Sequence, residues 1–340
     1  MPPRPRETFS KPAILPMMAG TGASAAPGKE STVPYRIRKK DSGPQDALRR
    51  IACEQIDRAL AELDDPVLDT AARVHQVRKR CKKTRGLLRL VRPAFADYAA
   101  ENAALRDIGR GLSGLRDAGT LVETCDRVAA ELDPASVAAY APIRARLVLD
   151  AKRVAWDDQT ADRLQSARAA LTFLRGRAAG WTLDDDGFGP LRKGMARTYD
   201  RARRTMDTAW RTPTEETLHD WRKWVKYHRS HCRLLAPTHP EMMSPRLDAL
   251  DRLSDLLGSH HDACVLEERL EQAYDFGSDT DVAGFAALVR AHSMTLEEEA
   301  FALGRLILAE ETKPLAKRLR RYWKAWRKGR SNDAGLLPGA

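Results

Sequence analysis

The chain has 340 residues, with 58 lysines and arginines against 47 aspartates and glutamates, so its formal net charge is +11. This surplus favours acidic partners such as nucleic acid, anionic lipid or phosphate polymers, without choosing among them. Aromatic residues make up only 6%, and no stretch approaches the roughly 20 apolar residues of a membrane span. The five cysteines stand singly, which argues against a zinc site or a disulfide framework and favours a reduced, cytoplasmic compartment.

Residues 1–43 are rich in Pro, Gly, Ser and Ala and lack periodic apolar positions, which predicts a disordered leader. Basic residues before the short apolar stretch 14–19 resemble a signal peptide, but Pro16 interrupts that stretch. We therefore favour the cytoplasm, with secretion as the alternative.

Apolar residues at intervals of three and four predict an all-α fold from residue 44 onward. In the first half, 44–178, we expect helices at about 45–63, 69–92, 97–131, 135–154 and 157–178. A connector rich in Gly and Asp, 179–190, interrupts the helical pattern. In the second half, 191–330, we expect helices at about 191–210, 215–235, 244–273, 281–308 and 313–327, followed by a flexible tail, 331–340. The short connections suit antiparallel helical bundles.

The two halves share a repeated segment. VHQVRKRCKKTRGLLRLVRP, from Val74, aligns without a gap with LHDWRKWVKYHRSHCRLLAP, from Leu218, at an offset of 144 residues. A second match, at an offset of 145, places Leu105, Ile108, Leu112 and Leu121 on Leu250, Leu253, Leu257 and Leu266, and Asp117 on Asp262. An internal repeat of this kind predicts two related helical units.

On a helical wheel, each copy separates a cationic face from an apolar face. The cationic face of the first copy, called the first strip below, is His75, Arg78, Lys79, Lys82, Arg85 and Arg89. The second strip is His219, Arg222, Lys223, Lys226, Arg229 and Arg233. The apolar faces are Val74, Val77, Cys81, Thr84 and Leu88 in the first copy and Leu218, Trp221, Val225 and Cys232 in the second.

Two interpretations of the strips compete, a solvated basic surface and a binding site for an anion. No Asp or Glu occurs from Thr70 through Ala96, and only Asp220 interrupts the second strip. Neighbouring cations on each helix therefore repel one another until an anionic ligand neutralises them. Retention of the pattern in both halves favours the binding site.

Cations one helical turn apart, about 5.4 Å along the axis, match a flexible polymer with closely spaced charges, and polyphosphate is such a polymer. Arginine offers forked donors to phosphate oxygens and lysine a mobile charge. Beside such a ligand His75 and His219 would gain protons, so acidification is expected to tighten binding. Nucleic acid is the alternative partner, although the strips lack interleaved aromatic residues apart from Trp221, Trp224 and Tyr227.

Several other polar residues have both a structural and a functional interpretation. Asp117 and the run His260-His261-Asp262 fit either hydrogen bonding within helices or a carboxylate that orients basic ligands. A metal site at the adjacent histidines is less favoured, because neighbouring side chains on a helix point apart.

Basic residues near both ends of the second half fit either a solvated surface or the closure of a binding cavity: Tyr199, Arg203, Arg320 and Arg321. The C-terminal segment is amphipathic. Its residues fit packing first and membrane contact second: Trp323, Lys324, Trp326, Arg327 and Lys328.

In both strips, and in the segments LRDIGRGLSGLRDA and LDRLSDLLGSHHDA, the sequence resembles the CHAD domain, the conserved histidine α-helical domain. The resemblance covers about residues 44–330. It implies two pseudo-symmetric antiparallel helical bundles around a basic central cavity that binds inorganic polyphosphate. It also assigns polyphosphate binding to every residue of the two strips.

Some members of that family carry an additional CYTH triphosphatase domain with an ExExK pattern. Here Glu7, Phe9 and Lys11 lack the middle carboxylate, and we find no clustered carboxylates suited to Mg²⁺. We therefore expect a protein without catalytic residues, metal or cofactor. Its expected role is to bind polyphosphate, with targeting of polyphosphate granules as a candidate purpose.

Overall fold

The computed structural model describes residues 35–112, 117–155, 159–272, 276 and 280–333. Within these residues the secondary structure is helical and contains no strand, which confirms the predicted all-α class. The helices are α1 (Pro44–Asp64), α2 (Thr70–Val91), α3 (Tyr98–Gly111), α4 (Asp117–Ala129), α5 (Pro134–Ala139), α6 (Ala141–Ala155), α7 (Thr160–Ala178), α8 (Phe188–Arg211), α9 (Glu215–Leu235), α10 (Pro240–Glu271), α11 (Val282–Ile307) and α12 (Thr312–Asp333). None of these helices is long and apolar enough to cross a membrane.

The two helices that carry the strips, α2 and α9, begin and end in similar ways. At the start of α2 the Asp69 side chain accepts a hydrogen bond from the Ala72 backbone amide. At the start of α9, Thr214 forms a capping box with Thr217. Each helix continues into a 3₁₀ turn with a proline at its second position, Arg92–Ala94 and Ala236–Thr238. These turns are also 144 residues apart, so the sequence repeat extends to local structure.

Two predicted helices are divided in the structure. The segment 97–131, predicted as one helix, contains α3 and α4, with α3 ending at Gly111. The segment 135–154 contains α5 and α6, which meet at Tyr140. Apolar residues continue at helical spacing through both divisions, so the sequence pattern alone could not show them. The structure nevertheless buries no residue of α5. At the offset of 145 residues, the segment of the second half that matches α3 and α4 forms one long helix, α10.

The apolar faces opposite the strips lie in the main core, as predicted. All nine predicted residues are buried: Val74, Val77, Cys81, Thr84, Leu88, Leu218, Trp221, Val225 and Cys232. Around them, α2 packs against α1 and α3, and α9 packs against α8 and α10. Since α2 also contacts α8 and α9, a continuous core joins the two halves. The pseudo-symmetry of the two bundles stays a prediction.

A second, smaller core contains residues of both predicted halves. Cys125 of α4 and Ile143 of α6 lie in one cluster with Leu266 of α10 and Phe285 of α11. Tyr140 packs on Phe285, with ring centroids 4.9 Å apart. The segment from α4 to α6 is thus anchored on the second half of the chain.

Residues 35–43, assigned by the sequence to a disordered leader, pack against the helices instead. The Tyr35 hydroxyl donates to the Lys83 carbonyl over 2.7 Å, and the Ile37 amide donates to the Leu234 carbonyl over 3.0 Å. This part of the prediction is wrong, because two buried apolar side chains in a polar run produce no periodic signal. Residues 1–34 of the predicted leader and 334–340 of the predicted tail lie outside the described residues, and α12 extends to Asp333.

Candidate functional site

The two strips approach each other where α2 crosses α9. A Cβ on Gly86 would lie 2.5 Å from the Ser230 Oγ, so glycine permits the close contact. The buried His231 ring donates from Nε2 to the Gly86 carbonyl over 3.0 Å, and burial lowers its pKa to about 3, which keeps the ring neutral. Gly86 and Ser230 are matched positions of the 144-residue repeat, so the helices cross at the same point of each copy.

Just beyond the crossing, aromatic residues of α9 gather cations from three helices. Arg89 of the first strip lies over the Tyr227 ring, 4.1 Å from its centroid, and 5.0 Å from the Trp224 ring. Lys223 and Arg201 each lie 5.7 Å from the Trp224 ring. Ring faces attract cations, so they hold these charges close together. Arg201 of α8 was not among the predicted site residues, and nothing in the repeat indicates it.

Lys226 of the second strip is influenced by the charge of its matched residue in the first strip. Its ammonium is half-buried, and burial, followed by the charges of Arg222 and Lys82, lowers its pKa to about 7. Lys82 is the residue matched to Lys226 in the other strip. The Asp262 carboxylate acts in the opposite direction and raises this pKa. The two strips therefore share one region of positive potential.

The N-terminal end of the second strip contains a pair of histidines. The rings of His219 and His261 lie with centroids 4.9 Å apart. Partial desolvation by neighbouring groups, followed by the charge of Arg222, lowers the pKa of both rings, that of His261 to about 4, so both are neutral at pH 7. His261 thus joins the site from the run His260-His261-Asp262, which the sequence indicated without assigning.

The interpretation of Asp262 as a carboxylate near basic ligands agrees with its effect on Lys226. Its repeat counterpart, the Asp117 side chain, lies outside the described residues. Among the residues that the structure describes, no three His, Cys, Asp or Glu side chains are grouped closely enough to hold a metal ion.

Helices packed beside the strips supply hydrogen-bond partners. On α3, the Gly109 carbonyl accepts from Arg78 over 2.7 Å, and the Asn102 amide oxygen accepts from Arg85 over 3.0 Å. On α10, the Asp251 carboxylate pairs with both Arg229 and Arg233 of the second strip. These partners orient the guanidinium groups from outside the strips.

The repeat could not indicate Asp251, because the matched position in the first half is a cation, Arg106. Asp220, which the sequence did indicate, pairs with Lys223 one turn away on the same helix. The second strip is thus partly neutralised by the protein itself.

Exposure varies little along the strips. Lys82, His219 and Lys223 are exposed, and the other nine residues are half-buried. His75 and His219 each lie eleven residues before the crossing, about 16 Å along the helix axis. The structure therefore brings together the middle and C-terminal parts of the strips, while both histidines lie toward the outer ends. That the strips line a basic central cavity stays a prediction.

Two of the residues proposed to close a cavity have structural partners. Tyr199 is buried and its hydroxyl donates to the Glu310 carbonyl over 2.8 Å, and Arg203 forms an ion pair with Glu311 at 2.9 Å. Both contacts attach α8 to the start of α12. Trp323 is buried in the core, as expected from the packing interpretation of the C-terminal segment.

Comparisons with known proteins agree with this architecture. The family model of the CHAD domain matches residues 50–271. A comparison with curated protein sequences gives no match.

Solved structures of similar fold include PptA from Streptomyces chartreusis, with a TM-score of 0.56 and 15% identity over 79% of this chain and 100% of that one. The crystal structure of the CHAD domain from the plant Ricinus communis gives a TM-score of 0.54 and 16% identity over 82% of this chain and 97% of that one. At such identities the likeness concerns the fold, and the family model concerns the sequence. Since that model spans about two thirds of the residues, from α1 to the end of α10, the chain belongs to the CHAD domain family.

Proposed function

We propose that this protein binds inorganic polyphosphate, without chemical turnover, through the first and second strips. The observation that carries the proposal is the crossing of α2 and α9 at matched positions, which brings Lys82 and Lys226 close enough for the charge of one to lower the pKa of the other. Like charges held together in this way are relieved by a polyanion that lies across them.

The donors beside the crossing suit condensed phosphate. Arginines on both helices offer forked N–H groups, and the lysines add compact charges that need no fixed geometry. Most of these side chains are half-buried, so their attraction for phosphate is screened less than on an open surface. A flexible chain of phosphates can follow such a surface without a unique register.

The carboxylates beside the strips favour binding over catalysis. Asp251 faces Arg229 and Arg233, and Asp262 acts on Lys226. Each therefore orients or neutralises a cation of the strips. A purified protein that released orthophosphate from polyphosphate in the presence of Mg²⁺ or Mn²⁺ would contradict this part of the proposal.

The main test is polyphosphate affinity measured by calorimetry over several chain lengths and salt concentrations. Changing Arg78, Lys82, Arg222 and Lys226 to Glu is expected to weaken binding at least about a hundredfold, because each replacement removes one phosphate contact and adds repulsion. A matched control reverses four exposed cations elsewhere, Lys152, Arg153, Arg211 and Lys313. Circular dichroism should show unchanged helicity in both variants.

If the strip variant and the control variant lost affinity equally, only the net charge would matter and the site assignment would be wrong. Competition separates polyphosphate from nucleic acid. RNA or DNA that displaced polyphosphate at equal charge concentration would favour the nucleic-acid alternative. Association with cytoplasmic polyphosphate granules is the proposed destination, and co-localisation lost in the strip variant would support it.

A further inference from the structure

A second concentration of positive charge lies on α12, outside both strips. Its exposed side chains include Lys313, Lys317, Arg320, Arg321, Lys324 and Lys328. Within the described part of the chain, none of these six has a carboxylate within 4 Å, whereas Arg318 on the same helix pairs with Glu310. The proposed polyphosphate site makes no use of this helix.

Part of this charge surrounds a cavity between α8 and α12. The cavity has a volume of about 350 Å³ and is lined by Phe188, Gly189, Arg192, Arg320, Trp323 and Lys324. Half of the lining residues are cations, from two different helices, and none is acidic. A volume of this size lies at the lower end of the range for small-molecule sites, roughly 300–1,000 Å³.

The aromatic residues explain why the cations converge. Phe188 stacks on the buried Trp323, with ring centroids 5.3 Å apart and an angle of 29° between the rings. Arg192 lies one turn beyond Phe188 on α8, while Arg320 and Lys324 flank Trp323 on α12. The stacked pair therefore fixes both helices so that the three cations surround a single apolar floor.

The start of α8 does not itself supply the site. The Asp185 carboxylate accepts the Gly187 amide over 2.8 Å and lies so close to Gly189 that a Cβ there would be 2.6 Å from its oxygen. Asp185 thus places a negative charge beside the first turn of α8, which has no side-chain cap, and the attraction for an anion must come from Arg192, Arg320 and Lys324. Among the described residues these three cations form no ion pair with Asp185.

We propose that this cavity binds a small, multiply charged phosphate compound of the inorganic oligophosphate class. Three cations without acidic partners match the charge of such a ligand, and the two arginines can each hold phosphate oxygens through two parallel N–H donors. This site is separate from the strips and does not rest on the proposed function.

The test is a titration of the full chain with tripolyphosphate at constant salt, measured by calorimetry. R320E/K324E is expected to weaken this site at least about tenfold, because both replaced cations line the cavity. The matched control, K317E/K328E, makes the same change in net charge on the same helix outside the cavity and is expected to change affinity less than about threefold. R320Q/K324Q repeats the test without charge reversal.

Equal losses in R320E/K324E and K317E/K328E would overturn the inference, since they would show a diffuse field and no built site. In the background of the strip variant, a cavity variant that bound tripolyphosphate as tightly as the unaltered cavity would overturn it as well. The strip variant described above must retain this site, and R320E/K324E must retain polyphosphate binding at the strips, so the two proposals fail separately. Binding to vesicles that contain phosphatidic acid, without binding of free tripolyphosphate, would assign the cavity to lipid and reject the oligophosphate.

Discussion

The same two arginines of the repeat have different neighbours in the two strips. In the first strip, Arg85 donates to a neutral amide and Arg89 lies over the Tyr227 ring. In the second strip their counterparts, Arg229 and Arg233, share the Asp251 carboxylate. For Arg85 and Arg89, no carboxylate lies within 4 Å in the part of the chain that the structure describes.

This difference shows that the same cations at matched positions can be neutralised to different extents by their neighbours. A carboxylate already satisfies the guanidinium groups in the second strip, and an incoming phosphate must compete with it. Neutral partners orient the arginines of the first strip without reducing their charge. We therefore infer that the first strip contributes more to polyphosphate binding than the second.

Both strips can act on one ligand only because α2 and α9 cross closely at Gly86. The substitution Gly86→Ala should disturb this crossing. The added Cβ would lie 2.5 Å from the Ser230 Oγ and 3.3 Å from the Tyr35 hydroxyl, so the Ser230 hydroxyl must turn away, at the expense of its hydrogen bond with Tyr35, or the helices must move apart. We expect a loss of about 1–3 kcal/mol in the free energy of unfolding, measured by urea denaturation. Polyphosphate affinity should also fall.

Gly176→Ala in α7 is the control for this substitution, because nothing lies within 4 Å of a Cβ at that position. Alanine favours helix over glycine, so the control should be neutral or stabilised by up to about 1 kcal/mol. If both variants were equally stable, the crossing at Gly86 would not be as close as described.

Matched pairs of arginines test the inequality of the strips directly. R85Q/R89Q is expected to weaken polyphosphate binding about tenfold, because among the described residues neither arginine has a carboxylate within 4 Å to compete with the ligand. R229Q/R233Q, at the matched positions, should weaken it only about threefold, since Asp251 already neutralises part of that charge. Affinities at 50 and 200 mM salt provide the measurement, and equal losses would show that Asp251 does not influence binding.

Much of this architecture follows from local sequence. The periodicity of apolar residues predicted the class of the fold and the buried sides of α2 and α9, because burial of one helix face is encoded within a few turns. The repeat also predicted which cations share a face. The meeting of the two faces has a trace in the sequence as well, since small residues occupy matched positions at Gly86 and Ser230.

Other features depend on contacts between distant segments and leave no periodic trace. Asp251 and Arg201 reach the site from neighbouring helices, and their positions depend on how α8 and α10 pack beside α9. The order of residues 35–43 rests on Tyr35 and Ile37 entering the core formed by the two halves. Such features require the tertiary structure, because a single helical wheel contains only one of the partners.

The pH dependence of polyphosphate affinity tests the region where the strips meet, at Lys226. Lys226 has a pKa lowered to about 7, so it loses its proton as pH rises from 6 to 8, while an ordinary lysine stays charged throughout. If polyphosphate binds at the strips as proposed, it favours the protonated form of Lys226, and we expect affinity to increase about fivefold from pH 8 to pH 6. Calorimetry in buffers of different ionisation enthalpy should detect proton uptake on binding near pH 7.5.

Lys226→Arg is the control, because a guanidinium remains charged over this whole range. The variant should bind at pH 8 nearly as well as the wild type binds at pH 6. Any pH dependence that remains reports the histidines, whose pKa values a bound polyanion raises. An undiminished pH dependence in this variant would show that Lys226 is not the titrating group.

Removal of the carboxylate that distinguishes the strips should make them more alike. Asp251→Asn keeps the shape of the side chain and leaves Arg229 and Arg233 without a negative partner. The pair is partly exposed, so the change should alter the free energy of unfolding by no more than about 1 kcal/mol. Polyphosphate affinity at low salt should rise about threefold, and its dependence on salt should steepen by about one charge. Asp255→Asn, an exposed position one turn further along α10, makes the same charge change and should have a smaller effect. If both substitutions raised affinity equally, the net charge of the chain would explain the gain. Asp251 would then not weaken the binding of the ligand by the second strip.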